Sequence, residues 1–271
     1  MMKTTILVAL GLGLTACAGD GGSQSGVRVS AIDGAPYVRL RWAQAQTALV
    51  PPFGGYDHVA LSATGVIELQ NAAYDKQVIV RYQGDQGWAD AAASYAGPAA
   101  GDHELWRFTT GAVTYLPYFG SGELPFAISY TVHGVTVWDN DAGRNYAVWG
   151  QGGDGEVVSS VALGQDALKL ADASLTAASD GSIAFAGHVI LKNLAYAKDV
   201  SIVYTTDGWK TVLTVPAGYD ASLVGSDALE RWSFSQTLPA GVSEAQLAVS
   251  YAVNGTTYWD SDLGANYVVR R

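Results

Sequence analysis

This sequence predicts an all-β fold built from two tandem antiparallel domains, and three observations carry the prediction. The first is a duplication. Trp138-Asp139-Asn140-Asp141-Ala142-Gly143-Arg144-Asn145-Tyr146 returns as Trp259-Asp260-Ser261-Asp262-Leu263-Gly264-Ala265-Asn266-Tyr267, and residues 127–148 match 248–269 at 13 of 22 positions. The second is periodicity: short runs alternate apolar and polar residues and are broken by turn residues, with no helical period sustained over three turns. The third is composition, since 32 Gly, 15 Tyr and 8 Trp favour turns and strands over long helices. Such a pattern fits a sandwich or a barrel.

Hydrophobic residues at 49% and charged residues at 15% describe a chain able to bury two cores. A formal charge of −10 argues against a nucleic-acid partner, which rewards a basic surface. At the N-terminus, Lys3 precedes a short apolar run over 6–14 that ends in Leu14-Thr15-Ala16-Cys17. That ending resembles the lipobox of bacterial lipoproteins. The resemblance implies a signal peptide over 1–16 and a lipid on Cys17, the chain's one cysteine, with the protein held at the cell envelope. With no Asp after Cys17, it also implies the outer membrane in a Gram-negative host. Ala18-Gly19-Asp20-Gly21-Gly22-Ser23 has the composition of a tether, taken as 17–26. An ordinary secretory signal with an incidental cysteine is the alternative.

The first domain spans 27–149. Strands are expected at 27–29 and 37–42, a loop at Pro51-Pro52-Phe53-Gly54-Gly55, then strands at 58–63, 65–70, 77–82, 105–110, 125–133, 135–138 and 145–149. A glycine-dense linker covers 150–156. The second domain, 157–271, restarts with strands at 161–163, 168–177, 182–191, 199–204, 210–215, 231–238, 246–253 and 256–259.

Among the tryptophans, Trp106 and Trp232 lie two residues from Phe108 and Phe234 and read as core. Trp88 and Trp209 each follow a Gly in a turn, and Trp138 and Trp259 end strands where the acidic loop begins. Alternation sends Tyr146 and Tyr267 inward and Asn145 and Asn266 outward. Two indoles, an Asn amide and an Asp carboxylate per copy suit a sugar, whose C–H face stacks on indole while its hydroxyls pair with amides and carboxylates. The alternative is that these tryptophans plug the ends of the fold. The same loops space oxygens at Asp139, Asp141 and Asn145, and at Asp260, Asp262 and Asn266, which also suits Ca²⁺, although no bidentate Glu follows as an EF-hand needs. A solvated turn explains that spacing more simply, and no metal or cofactor is assigned. His58, His103, His133 and His188 have no metal-ligand spacing, and no nucleophile elbow or phosphate loop is present, so no enzyme is expected.

In order along the second copy, Asn193-x-Ala195-Tyr196-x-Lys198, Asp207-Gly208-Trp209-Lys210, Arg231-Trp232-x-Phe234 and Trp259-Asp260-x-x-x-Gly264-x-Asn266-Tyr267 resemble the type-21 carbohydrate-binding modules, the starch- and glycogen-binding domains of some glucoamylases and phosphatase-targeting subunits. The resemblance covers most of 157–271 and, less cleanly, 57–149. It implies immunoglobulin-like β-sandwiches that bind α-glucan without cleaving it. Carried over, the sugar-binding roles fall on Trp209, Lys210, Trp259, Asp260 and Asn266, and on Trp88, Trp138, Asp139 and Asn145. The family usually has two Asn after the loop Asp, where this chain has Asn140-Asp141 and Ser261-Asp262, and Ala89 stands opposite Lys210. A surface lipoprotein serving structure or protein interaction, with degenerate sugar sites, is the rival reading.

Overall fold

The structure, a computed structural model, describes residues 37–152, 158–223 and 228–271. The expected signal peptide, Cys17, the tether, the strand at 27–29 and residues 153–156 of the linker lie outside these residues. Among the described residues the chain folds into antiparallel sheets with only two short 3₁₀ turns. It forms two sandwiches, not barrels.

In the first sandwich, strands β1 (Val38–Phe53), β2 (Tyr56–Gln70), β5 (Ser94–Pro98), β6 (His103–Thr109) and β7 (Val113–Tyr115) form one sheet. The facing sheet holds β3 (Lys76–Gly84), β4 (Gly87–Ala92), β8 (Glu123–Val132), β9 (Val135–Asp139) and β10 (Tyr146–Trp149). Alternate residues Leu40, Leu61, Ile67, Val80, Phe108, Phe126 and Ile128 point between them and form the core.

The second sandwich repeats this plan after the short strand β11 (Val161–Leu163). One sheet holds β12 (Leu168–Ala177), β13 (Ile183–Lys192), β16 (Gly218–Ser222) and β17 (Leu229–Leu238). The other holds β14 (Lys198–Thr205), β15 (Leu213–Pro216), β18 (Glu244–Val253), β19 (Thr256–Asp260) and β20 (Tyr267–Arg270).

Strands β4, β5, β7, β16 and β20 are not among the expected ones, and three further segments differ from their expectation. Pro51 to Gly55 is not an open loop. β1 and β2 continue to Phe53 and from Tyr56, joined by Gly54 and Gly55 at φ 65 and 85, the left-handed pair that a two-residue hairpin turn requires. The register shifts between Val50 and Phe53, and this irregularity absorbs the two prolines, which have no N–H for the ladder. The strand expected at 210–215 begins only at Leu213, because 206–212 turn as a loop.

Third, β11 is not the opening strand of the second sandwich. It pairs with β1 as an edge strand of the first sandwich's sheet, Ala43 opposite Ala162. From there Val161 packs on Ile190, Leu223 and Leu229 of the second sandwich. Beside it the Ala45 N–H donates to Ser160 O at 2.7 Å, the Gln165 N–H donates to Leu40 O at 2.7 Å, and Arg41 pairs with Glu68 at 2.9 Å and with Asp166. Residues that the sequence assigns to the start of the second domain instead dock the two sandwiches together.

Both copies carry a bulge in the first strand, between Leu40 and Trp42 and between Leu170 and Asp172. Beneath each lies a glycine facing a core phenylalanine, Gly65 opposite Phe108 and Gly187 opposite Phe234. A Cβ at Gly187 would come within 2.2 Å of Asp172 O and 2.8 Å of Phe234 Cε1, so only hydrogen fits there. Gly187→Ala is therefore expected to destabilise the second sandwich by about 1–3 kcal/mol, read as a lower urea midpoint; an unchanged midpoint contradicts this packing.

Candidate functional site

The duplicated loop is organised by its aspartate. Asp139 closes β9, and its carboxylate accepts the Leu40 N–H at 2.7 Å and the Tyr146 hydroxyl at 2.9–3.0 Å. Asp260 does the same with the Leu170 N–H at 2.7 Å and the Tyr267 hydroxyl at 2.7–2.8 Å. Burial raises the Asp139 carboxyl's pKa, while these hydrogen bonds lower it in part. Both phenols are pushed far above their ordinary range, by burial first and the adjacent carboxylate second. This corrects the expectation for the two aspartates: they face into the sandwich and clamp its first and last strands. They are not part of an outward sugar rim.

The rest of the motif answers a backbone requirement. Asp141, Ala142, Gly143 and Asn145 all have left-handed φ, as do Asp262, Leu263, Gly264 and Asn266. Gly and Asn tolerate that region best, which accounts for their spacing. In the first copy the 3₁₀ turn Asp141–Gly143 is also held by Asn140 Oδ1, which accepts the Gly143 N–H at 3.1 Å. The expected inward tyrosine is observed: Tyr146 is buried, and Asn145 and Asn266 sit half-buried at the surface.

Outward-facing tryptophans flank this clamp. In β19, Tyr258 packs inward, so Trp259 faces out and is 57% exposed opposite Ser250. Trp209 donates its Nε1–H to Gln246 Oε1 at 2.7 Å. Gln246, Ala248 and Ser250 share the outer face of β18, so the two indoles mark the ends of a stretch of about 13 Å floored by small side chains. Trp209 and Trp259 therefore converge on one face, with Asn266 just before Tyr267 on the neighbouring strand.

Trp209 sits at φ 66, a costly position for a bulky residue. A local network fixes it. Thr205 Oγ1 accepts the N–H groups of Asp207 and Trp209 at 3.2 and 3.1 Å, and Asp207 Oδ1 accepts the Thr211 N–H at 2.9 Å. Lys210 follows, exposed on this loop.

The first copy uses the same positions differently. Trp88 is 41% exposed but lies in strand β4, opposite Gln83, where the second copy has its loop. Trp138 is half-buried opposite Ser129. Arg81, opposite Ala127 and 3.7 Å from Asp90, occupies the middle of the face.

A second aromatic face, unassigned from sequence, appears in each copy. Lys198 Nζ donates to Asn193 Oδ1 at 2.5 Å and to Glu230 Oε2 at 2.7 Å, and it lies 5.9 Å from the Trp232 ring, whose Nε1–H donates to Glu230. Lys76, Asn71, Glu104 and Trp106 repeat the cluster. Trp106 and Trp232 thus pack against the core, as expected, with their Nε1–H groups satisfied. Beside each cluster Tyr74 and Tyr196 are fully exposed, and Tyr95 and Tyr219 meet the tryptophans edge-on at 6.3 Å. The Asn-x-Ala-Tyr-x-Lys spacing was the available signal, and the exposure of its tyrosine is what the sequence did not reveal.

Exposed aromatics on paired sandwiches suit a carbohydrate ligand, and comparison with known proteins gives the family. The sequence model of the carbohydrate/starch-binding module family 21 matches residues 57–149 and 163–270. The chain belongs to this family and carries two of its modules. It is 37% identical over 91 residues to human protein phosphatase 1 regulatory subunit 3B, covering 32% of each chain. It is 39% identical over 93 residues to glucoamylase 1 of Rhizopus oryzae, covering 33% of this chain and 15% of that one. The chain thus spans about a third or less of these relatives. Among solved structures, the starch binding domain of Rhizopus oryzae glucoamylase, in complex with beta-cyclodextrin and maltoheptaose, matches at 30% identity with a TM-score of 0.32, covering 40% of this chain and 95% of that one.

The bonds to Asp207 hold its carboxyl down at about 2, backbone Thr211 first among them. A depressed carboxyl stabilises the loop above its ordinary range, and that contribution is lost as pH falls through about 2. The Asp207 carboxyl carbon is expected to titrate by NMR near pH 2; a midpoint near 4 contradicts the network.

Proposed function

We propose that the protein holds α-1,4-glucans such as starch, glycogen or maltodextrin on its two modules without cleaving them. The observation that carries this reading is the outer face of β18, where the exposed Trp259 indole and the tethered Trp209 indole flank small side chains. Glucose rings stack their C–H faces on these indoles, while Lys210 and Asn266 meet hydroxyls at the rim. Asp260 positions the platform from below and makes no sugar contact. Trp88, Trp138 and Asn145 form the corresponding face of the first module, with Asp139 beneath. The exposed Tyr74 and Tyr196 faces give each module a second contact for a long chain. Two sites on one chain raise avidity through effective concentration.

The same reading places the protein at the cell envelope through a diacylglycerol on Cys17, in the outer membrane of a Gram-negative host. Anchored there, it concentrates glucan for enzymes that act on it. The family description supports the glucan part, and the residues at 14–17 support the anchor.

Calorimetric titration of the full chain with maltoheptaose is expected to show binding. Trp209→Ala with Trp259→Ala is expected to weaken the second module's share by about tenfold or more. An absence of heat with the wild-type chain refutes the proposal.

A further inference from the structure

The two copies brace their sugar loops in different ways. In the first module two side-chain braces come from the loop itself. Asn140 Oδ1 caps Gly143, and Asp141 pairs with Arg144 at 3.0 Å. Arg39, one residue before the clamped Leu40, donates to Val38 O at 2.7 Å and lies 5.3 Å from the Tyr37 ring, and its charge also lowers the Asp139 carboxyl's pKa.

The second module has Ser261 where the first has Asn140, and Ala265 where the first has Arg144. Both internal braces are gone. Their replacements come from the first module. Asp262 meets Arg107 of β6 at 3.7 Å. Lys169, one residue before the clamped Leu170, is 2% exposed, and its Nζ lies 4.2 Å from the Trp42 ring, 4.5 Å from the Tyr267 ring and 3.7 Å from Asp260 Oδ2. A buried ammonium is costly unless it is enclosed by such groups. Trp42 covers it on the side that an isolated second module would leave to water. Trp42 also has no tryptophan counterpart in the second copy, whose matching residue after the bulge is Asp172.

The geometry points to the first module as a positioning element for the second module's glucan loop, with Trp42 and Arg107 holding Lys169 and Asp262 and thereby fixing Trp259 and Asn266. This rests on the glucan reading for its consequence, but the bracing itself is independent of any sugar. The tandem arrangement is then more than two equivalent sites on one string. One copy completes the other.

The test uses the full chain with Trp88→Ala, Trp138→Ala and Tyr74→Ala, so that maltoheptaose titration reports the second module. Adding Trp42→Ala is expected to weaken binding by about three- to thirtyfold, and Trp42→Phe to restore most of it. In a background carrying Ser261→Asn and Ala265→Arg, which transplants the first module's braces, Trp42→Ala is expected to cost much less. A purely structural role for Trp42 gives the same loss in both backgrounds and overturns the inference.

Amide hydrogen exchange at Gly264 and Asn266 reads the loop without sugar. It is expected to quicken in Trp42→Ala and also in Arg107→Ala, a half-exposed site where a folding defect is not at issue. Unchanged exchange in both variants overturns the inference whatever the sugar result. Faster exchange in a chain whose parent does not bind maltoheptaose supports the bracing and refutes the glucan reading instead.

Discussion

Each module depends on one buried carboxylate. Asp139 and Asp260 join a backbone N–H of the first sheet to a tyrosine hydroxyl of the second, so one side chain ties both layers of a sandwich together at one end. Burying a carboxylate is expensive, and short bonds from N–H and O–H donors offset that cost. With the aspartate fixed inward, strand alternation leaves its neighbours no choice: Trp138 and Trp259 must face out. The same constraint sets the run of left-handed residues that returns the chain to Asn and Tyr. The outward-facing indole on each module is thus a by-product of the clamp.

Around this shared centre the copies have diverged. The second copy turns its Gly-Trp segment into a hydrogen-bonded loop that holds Trp209 at positive φ, whereas the first makes it a hairpin strand carrying Trp88. Two tryptophans have no counterpart at all, Trp42 and Trp149, and both lie where the modules meet. Trp42 covers Lys169, and Trp149 borders a junction groove of about 600 Å³ that also reaches Lys192 and Leu229. The two tryptophans without a counterpart therefore serve the joint.

Much of this was legible in the sequence, for identifiable reasons. Duplication, period-two alternation and the inward Tyr146 follow from patterns that tertiary context does not override. The inward Asp was missed although its signal was there: residues adjacent in a strand face opposite ways, so an outward Trp259 excludes an outward Asp260. The fate of Val161–Leu163 was not. A short apolar strand suits either sandwich equally, and only the packing of Val161 on Ile190, Leu223 and Leu229 places it between them. Exposure of Tyr196 was hidden as well, since aromatic residues are abundant in cores and nothing local marks one that stays in water.

The central claim is that outward-facing tryptophans, and not the buried ones, meet glucan. Each of the 8 tryptophans carries one indole N–H resonance, so a single NMR titration of the full chain with maltoheptaose reads them together. The account predicts shifts at Trp209 and Trp259, and at Trp88 and Trp138, with Trp42 unmoved. Shifts at none of the four outward indoles would contradict it.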